Sequence, residues 1–194
     1  MTDVSGAPGV RPVSPREHDE SLLAGVRRGD PAGVAGLFDL YSARLLRFTD
    51  RMLGNRAEAE EVTQEVFLKV IQRVDQYDGS APVASWLFAI AANACRDRLR
   101  RARTRKFVPD EALAERPASI THEDDRLVKE ERRKAVRDAL AGLTGEQREA
   151  IVLARYHGLP YAEIARTLGT TEGAVKTRIF RAMETLKTRL GGIS

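Results

Sequence analysis

Apolar residues recur along most of this chain at intervals of three and four, and nowhere do they alternate in the period of two that marks a half-buried strand. In RAEAEEVTQEVFLKVIQRV, Ala59, Val62, Val66 and Val70 fall on one side of a helix, and from about Ala84 to Arg103 Leu87, Ile90, Ala91 and Ala94 do the same. Near the C-terminus Tyr161, Ile164, Ala165 and Leu168 lie at i, i+3, i+4 and i+7 on a short helix that Pro160 opens from its first position. Gly169 ends that helix. Thr170 or Thr171 offers a hydroxyl to cap the next, whose buried stripe is Val175, Ile179, Ala182 and Leu186. With no internal repeat visible, the pattern predicts an all-α fold.

Breaks in the pattern divide the chain. Residues 1–18, rich in Pro, Gly and Ser, lack periodicity and read as a disordered arm. Residues 19–105 form one helical domain, interrupted at Gly29-Asp30-Pro31, Gly54-Asn55 and Asp78-Gly79-Ser80-Ala81-Pro82. Residues 106–130 read as a linker, at first mixing charges and two prolines with no apolar stripe and then turning helical from about Glu123. A second small helical domain follows over 131–190. Thr144 with Gln147 supplies a capping-box start within it.

Composition narrows the chemistry. The 194 residues are 42% hydrophobic, enough for two small cores, yet no run approaches the roughly 20 apolar residues of a membrane span. The N-terminus has no apolar signal-peptide core, so the expectation is a cytoplasmic protein without membrane insertion. A single cysteine, Cys95, excludes an intramolecular disulfide and a cysteine zinc site, and His18, His122 and His157 are scattered, so no metal site is expected. Cys95 reads as a packed small residue. No phosphate-binding glycine loop, paired carboxylates or nucleophile–base arrangement appears, so neither a cofactor nor catalysis is expected. The net charge is only +4, but acids and bases sit in different segments.

Three faces emerge from that segregation. On the last helix Lys176, Thr177, Phe180 and Arg181 lie outside the buried stripe, a mixture of donors, positive charge and one apolar ring suited to phosphates, base edges and a thymine methyl. With the preceding short helix and Gly turn, this is the layout of a DNA-reading helix-turn-helix. Between about Ala84 and Arg103, Trp86, Ala89, Asn93, Arg96 and Arg100 share the side opposite the stripe. An aromatic, an amide and arginines suit unpaired bases, while Arg98, Arg101, Arg103 and Arg105 can neutralise phosphates. The competing reading places Trp86 in the core. Glu58, Glu61 and Glu65, with Gln64 and Leu68 beside them, form an acidic face that repels phosphate and so either faces solvent or docks on a basic protein.

Taken together, the segments resemble the extracytoplasmic-function (ECF) sigma factors of the sigma-70 family over about residues 20–190. LFDLYSARLLRFTDRMLGNRAEAEEVTQEVFLKVI looks like the start of region 2, whose acidic helix docks on core RNA polymerase. The resemblance thus makes Glu58, Glu61, Gln64, Glu65 and Leu68 polymerase-binding residues. YDGSAPVASWLFAIAANACRDRLRR resembles the part of region 2 that captures the melted minus-ten element, which implies contacts from Asp78, Gly79, Ser80, Ser85, Trp86, Asn93, Arg96 and Arg100. GLPYAEIARTLGTTEGAVKTRIFRAMETL is similar to region 4, implying minus-35 contacts from Thr171, Glu172, Lys176, Thr177, Phe180 and Arg181. Val83, Ala84, Ala89 and Ala92 depart from the family pattern, which implies fewer minus-ten contacts or an altered preference. Core polymerase and promoter DNA are the implied partners, with an anti-sigma protein as inhibitor. Two other readings remain open: a polymerase-independent regulator binding a palindrome as a homodimer, and a helical adaptor with no affinity for DNA.

Overall fold

The computed structural model describes residues 14–105 and 125–191, all helix and turn. The helices run α1 (Pro15–Arg27), α2 (Pro31–Leu53), α3 (Arg56–Arg73), α4 (Val83–Arg105), α5 (Asp125–Ala141), α6 (Gly145–His157), α7 (Tyr161–Leu168) and α8 (Glu172–Leu190), with a 3-10 turn at Val74–Gln76 after α3.

α1 begins earlier than the composition suggested. Residues 14–18, read from sequence as part of the disordered arm, carry a complete capping box. The Ser14 hydroxyl accepts from the Glu17 amide at 3.2 Å, the Glu17 carboxylate accepts from the Ser14 amide at 2.8 Å, and Pro15 occupies the first helical position. Residues 1–13 lie outside the described residues, as do 106–124. α5 begins at Asp125, so it crosses the boundary drawn at residue 130 and fits the helical stretch read from about Glu123. Asp30, Asn55, Thr144 and Thr171 cap the starts of α2, α3, α6 and α8.

α1 and α2 cross where Gly33 meets Gly25. A β-carbon on Gly33 would stand 2.7 Å from the Val26 amide nitrogen and 2.8 Å from the Leu22 carbonyl oxygen, so only glycine allows the approach. The first unit packs Leu37, Leu45, Phe48 and Met52 of α2 against Val62, Val66 and Val70 of α3 and Leu87, Phe88 and Ala91 of α4, all buried. A buried threonine pair in it is closed on itself: Thr49 and Thr63 hydroxyls lie 2.9 Å apart, and Thr63 donates to the Ala59 carbonyl at 2.7 Å. In the second unit Leu140, Leu143, Ile151, Leu153, Ile164, Val175 and Ile179 form the core.

The two units are not separate bodies. Buried residues of both join one continuous cluster, with α6 packed on α2 and α7 on α4. The Arg148 guanidinium of α6 donates to the Met52 carbonyl at the end of α2 at 2.6 Å, placing a cation at that helix's C-terminus. The His157 ring sits 4.6 Å from Phe88 and 5.9 Å from Phe48, and Arg51 stacks 3.9 Å over Tyr156.

Candidate nucleic-acid interface and acidic docking face

Gly169 ends α7 in the left-handed conformation, φ 63°, and its turn hands the chain to Thr171, whose hydroxyl accepts from the Ala174 amide. Pro160 caps α7 from outside instead of opening it. Of the stripe expected on α7, Ile164 and Ala165 are buried and Leu168 half-buried. Tyr161 is exposed, and Thr167 takes the buried place. An eight-residue helix wedged between α4 and α8 has two covered sides, so a single-stripe reading fails at its ends. On α8 the expected stripe holds: Val175, Ile179 and Ala182 are buried and Leu186 half-buried. Thr171, Glu172, Lys176, Thr177, Phe180 and Arg181 are all exposed, Phe180 by 67%. The exposed phenyl ring offers an apolar surface that suits a base edge such as a thymine methyl.

The loop before α4 is fixed from three sides. Arg27 donates to the Val74 and Tyr77 carbonyls at 2.9 and 3.1 Å, Arg16 to the Gly79 carbonyl at 2.8 Å, and the Tyr77 hydroxyl to the Ala81 carbonyl at 2.7 Å. Asp78 accepts from the Ser80 amide at 2.9 Å. Hydrogen bonds from Ser80 hold its carboxyl below the usual range. Asp78, Gly79 and Ser80 therefore present a preformed edge.

On α4 the expected buried stripe is present, and Trp86, Ala89, Asn93, Arg96 and Arg100 do share the other side. Trp86 is half-buried, tilted against Tyr77 at 5.4 Å, so neither the core nor the fully outward reading describes it. Ser85 is 2% exposed, not on the open face, and its hydroxyl meets Glu163 of α7 at 3.1 Å. Arg96 gives Nε at 2.6 Å and Nη2 at 2.9 Å to Glu149 of α6, which is itself 2% exposed, and Nη1 to Asn93 at 2.7 Å. Arg100 is exposed and pairs with Asp97 at 2.8 Å. Arg98 does not stand free for phosphate: it pairs with Glu61 at 3.0 Å. Cys95 is buried beneath, its thiol pushed up to about 12 chiefly by that burial.

On α3 Glu61, Gln64 and Leu68 are exposed, Leu68 by 59%, while Glu58 and Glu65 are half-buried; Glu65 pairs with Lys69 at 2.6 Å. Ile71 and Phe38, which the sequence pattern had not marked, are exposed as well; the Phe38 ring lies tilted against Phe67 at 5.0 Å. Glu149, Glu163 and His157 were also unmarked. Among the described residues no group of three or more His, Cys, Asp and Glu could hold a metal ion, and no helix is long and apolar enough to cross a membrane.

A capped helix-turn-helix with a basic outer face, joined to a helical unit bearing an arginine-rich helix and an acidic one, has the layout of a two-part DNA-binding protein. Comparison with known proteins makes that class specific. Residues 37–105 match the family model for sigma-70 region 2, and residues 133–186 match sigma-70, region 4. The ECF RNA polymerase sigma factor SigL of Mycobacterium tuberculosis is 33% identical over 174 residues, covering 87% of this chain and 94% of that protein. Among solved structures, CnrH in complex with the cytosolic domain of CnrY superposes with a TM-score of 0.67 at 26% identity, covering 91% of this chain and 99% of that one. The sigma factor RpoE of Bartonella quintana in complex with the anti-sigma factor NepR superposes with a TM-score of 0.62 at 26% identity, covering 82% of this chain and 98% of that one. The chain belongs to the ECF sigma factors of the sigma-70 family.

Proposed function

We infer that this sigma factor binds core RNA polymerase through α3 and directs it to promoters by reading a minus-ten element with the α4 region and a minus-35 element with α8. The observation that carries the reading is the outer face of α8, where Lys176, Thr177, Phe180 and Arg181 stand exposed on a capped helix-turn-helix. Two small readers tethered to one enzyme need not bind tightly alone. Landing of the first raises the effective concentration of the second, so spacing between the elements adds to sequence in setting specificity. On the minus-ten side, Asp78, Gly79 and Ser80 would receive a flipped base, and Trp86, Asn93, Arg96 and Arg100, with Ser85 once uncovered, would hold the strand. On α8, Thr171 and Glu172 would border the base-reading side chains.

The polymerase face would be Glu58, Glu61, Gln64, Glu65 and Leu68, with residues 19–105 working as region 2, residues 131–190 as region 4 and 106–130 as the connection between them. CnrH and RpoE were each solved with a protein bound, RpoE's an anti-sigma factor. By that likeness this chain is held by an anti-sigma protein in the cytoplasm until induction.

The test separates the two surfaces. Lys176→Ala and Arg181→Ala should lower transcription only from promoters that depend on a minus-35 element, whereas Leu68→Ala and Glu65→Ala should weaken polymerase binding on any promoter. Normal polymerase binding by the Leu68 and Glu65 variants would refute the assignment of α3.

A further inference from the structure

Two arginines of α1 reach the loop before α4, although α1, Pro15–Arg27, lies ahead of the residues 37–105 that match sigma-70 region 2. Between them they take three of the loop's carbonyl oxygens. Arg27 Nη2 donates to Val74 at 2.9 Å and to Tyr77 at 3.1 Å, and Arg16 Nη2 donates to Gly79 at 2.8 Å. Each fork is completed through Nε, Arg27 on the Asp75 carboxylate at 3.2 Å and Arg16 on Glu20 at 2.9 Å. α1 is itself anchored to α2. Leu23 and Val26 are buried, the Tyr41 hydroxyl donates to Asp19 at 2.5 Å, and a β-carbon on Gly25 would stand 3.1 Å from the Gly33 α-carbon. The tip of the loop has no such packing: Gly79 is left-handed, φ 75°, with nothing within 4 Å of where a β-carbon would stand.

We propose that Arg16 and Arg27 are positioning residues for minus-ten recognition: α1 braces the backbone from Val74 to Gly79 so that Asp78 and Ser80 meet an incoming base in one fixed arrangement, and this brace sets base selectivity. The inference rests on the reading of the Asp78–Ser80 edge as the receiver of a flipped base. Its physical ground is the difference between binding tightly and binding selectively. A loop ordered only when a base arrives subtracts its ordering entropy from every base alike, and it bends its polar groups toward whichever base is present. A loop fixed beforehand leaves those groups unpaired against the wrong base, and that penalty discriminates. The planar fork of Arg27 holds two carbonyls and a carboxylate at once, a geometry that the point charge of a lysine ammonium does not reproduce. Charge alone is a weak tether here, because the Asp75 side chain is 82% exposed and such a pair contributes little.

The test uses holoenzyme assembled from bacterial core RNA polymerase and the full chain, with random single-stranded DNA 12-mers as the probe and sequencing of the bound fraction. Core polymerase alone gives the background. Wild-type holoenzyme should enrich a short motif, and Asp78→Ala marks the position that the loop reads by losing enrichment there. Arg16→Ala with Arg27→Lys should lower enrichment at that same position by about tenfold, the weight of one hydrogen bond, while total DNA bound and affinity for core polymerase change by less than about threefold. Arg28→Gln removes the same charge from the exposed residue next to Arg27 and should leave the motif as in wild type. Full selectivity in the double variant, or a loss spread evenly over every enriched position, overturns the brace while leaving the base-receiving role of the loop intact. A wild-type holoenzyme that enriches no base, or an Asp78→Ala variant with the wild-type motif, overturns both. Should the double variant fail to fold by circular dichroism, Arg16→Ala alone, at an exposed site, supplies the same readout with a smaller loss.

Discussion

The Arg96–Glu149 pair makes an asymmetric prediction. Glu149 is 2% exposed and Arg96 43%, so the two ends of one ion pair sit in different dielectric surroundings. Arg96→Ala would leave a carboxylate out of water with no cation, a penalty of about 3–5 kcal/mol for a buried charge stripped of its partner. Separation of the two units can relieve that penalty, so the measured loss is capped by the free energy that holds them together. Glu149→Leu removes the buried charge altogether and leaves a guanidinium that water reaches easily; its cost should be about 1 kcal/mol or less. Glu149→Gln falls between. It keeps one acceptor but turns the other oxygen into a donor facing the guanidinium, forfeiting about 2 kcal/mol. The double change Arg96→Ala with Glu149→Leu should recover most of what Arg96→Ala alone loses. Equilibrium urea unfolding of the four proteins at neutral pH closes the cycle. Equal losses for Arg96→Ala and Glu149→Leu, or strict additivity in the double variant, would refute the claim that this pair is buried at one end and shared between the units.

Gly33→Ala should be among the most damaging single-methyl additions in the chain, since the added carbon meets the backbone of Leu22, Gly25 and Val26 with no side chain to yield; a loss of about 1–3 kcal/mol is expected in thermal or urea unfolding, and wild-type stability would contradict the crossing. The imidazole of His157 is pushed down to about 4, first by burial and then by Arg44, Arg51 and Arg47, so it is neutral at pH 7. The ring in water titrates near 6.5, so the opened or unfolded chain binds the extra proton. The packed form should lose stability as pH falls from about 6.5, flattening near 4. Comparing wild type with His157→Gln at about pH 7 and about pH 5 isolates that limb, and equal pH dependence in the two proteins would contradict it.

Most of the architecture was legible because helix periodicity and caps are local. The stripes on α3, α4 and α8, the Thr144–Gln147 box and the Gly169 turn each lie within a few residues of sequence. The start of α1 was equally local, written in Ser14-Pro15-Arg16-Glu17, but the composition of the preceding arm outweighed it. What periodicity does not carry is which faces meet across the chain. Glu149 sits in register with Val152 and Leu153, all three buried, and an acid in the middle of an apolar stripe is the signal that a cation from elsewhere must reach it. Nothing local named Arg96 as that cation, more than 50 residues away along the chain. The same limit explains Ser85, which reads as a loop-edge hydroxyl and is sealed by a helix from the other unit.

The central claim is tested most directly by mapping every transcript start made by purified bacterial core RNA polymerase with this protein on pooled genomic fragments. The account predicts discrete starts that share two upstream elements at fixed spacing and that vanish when the protein is omitted. An absence of starts together with failure to comigrate with core polymerase would contradict it.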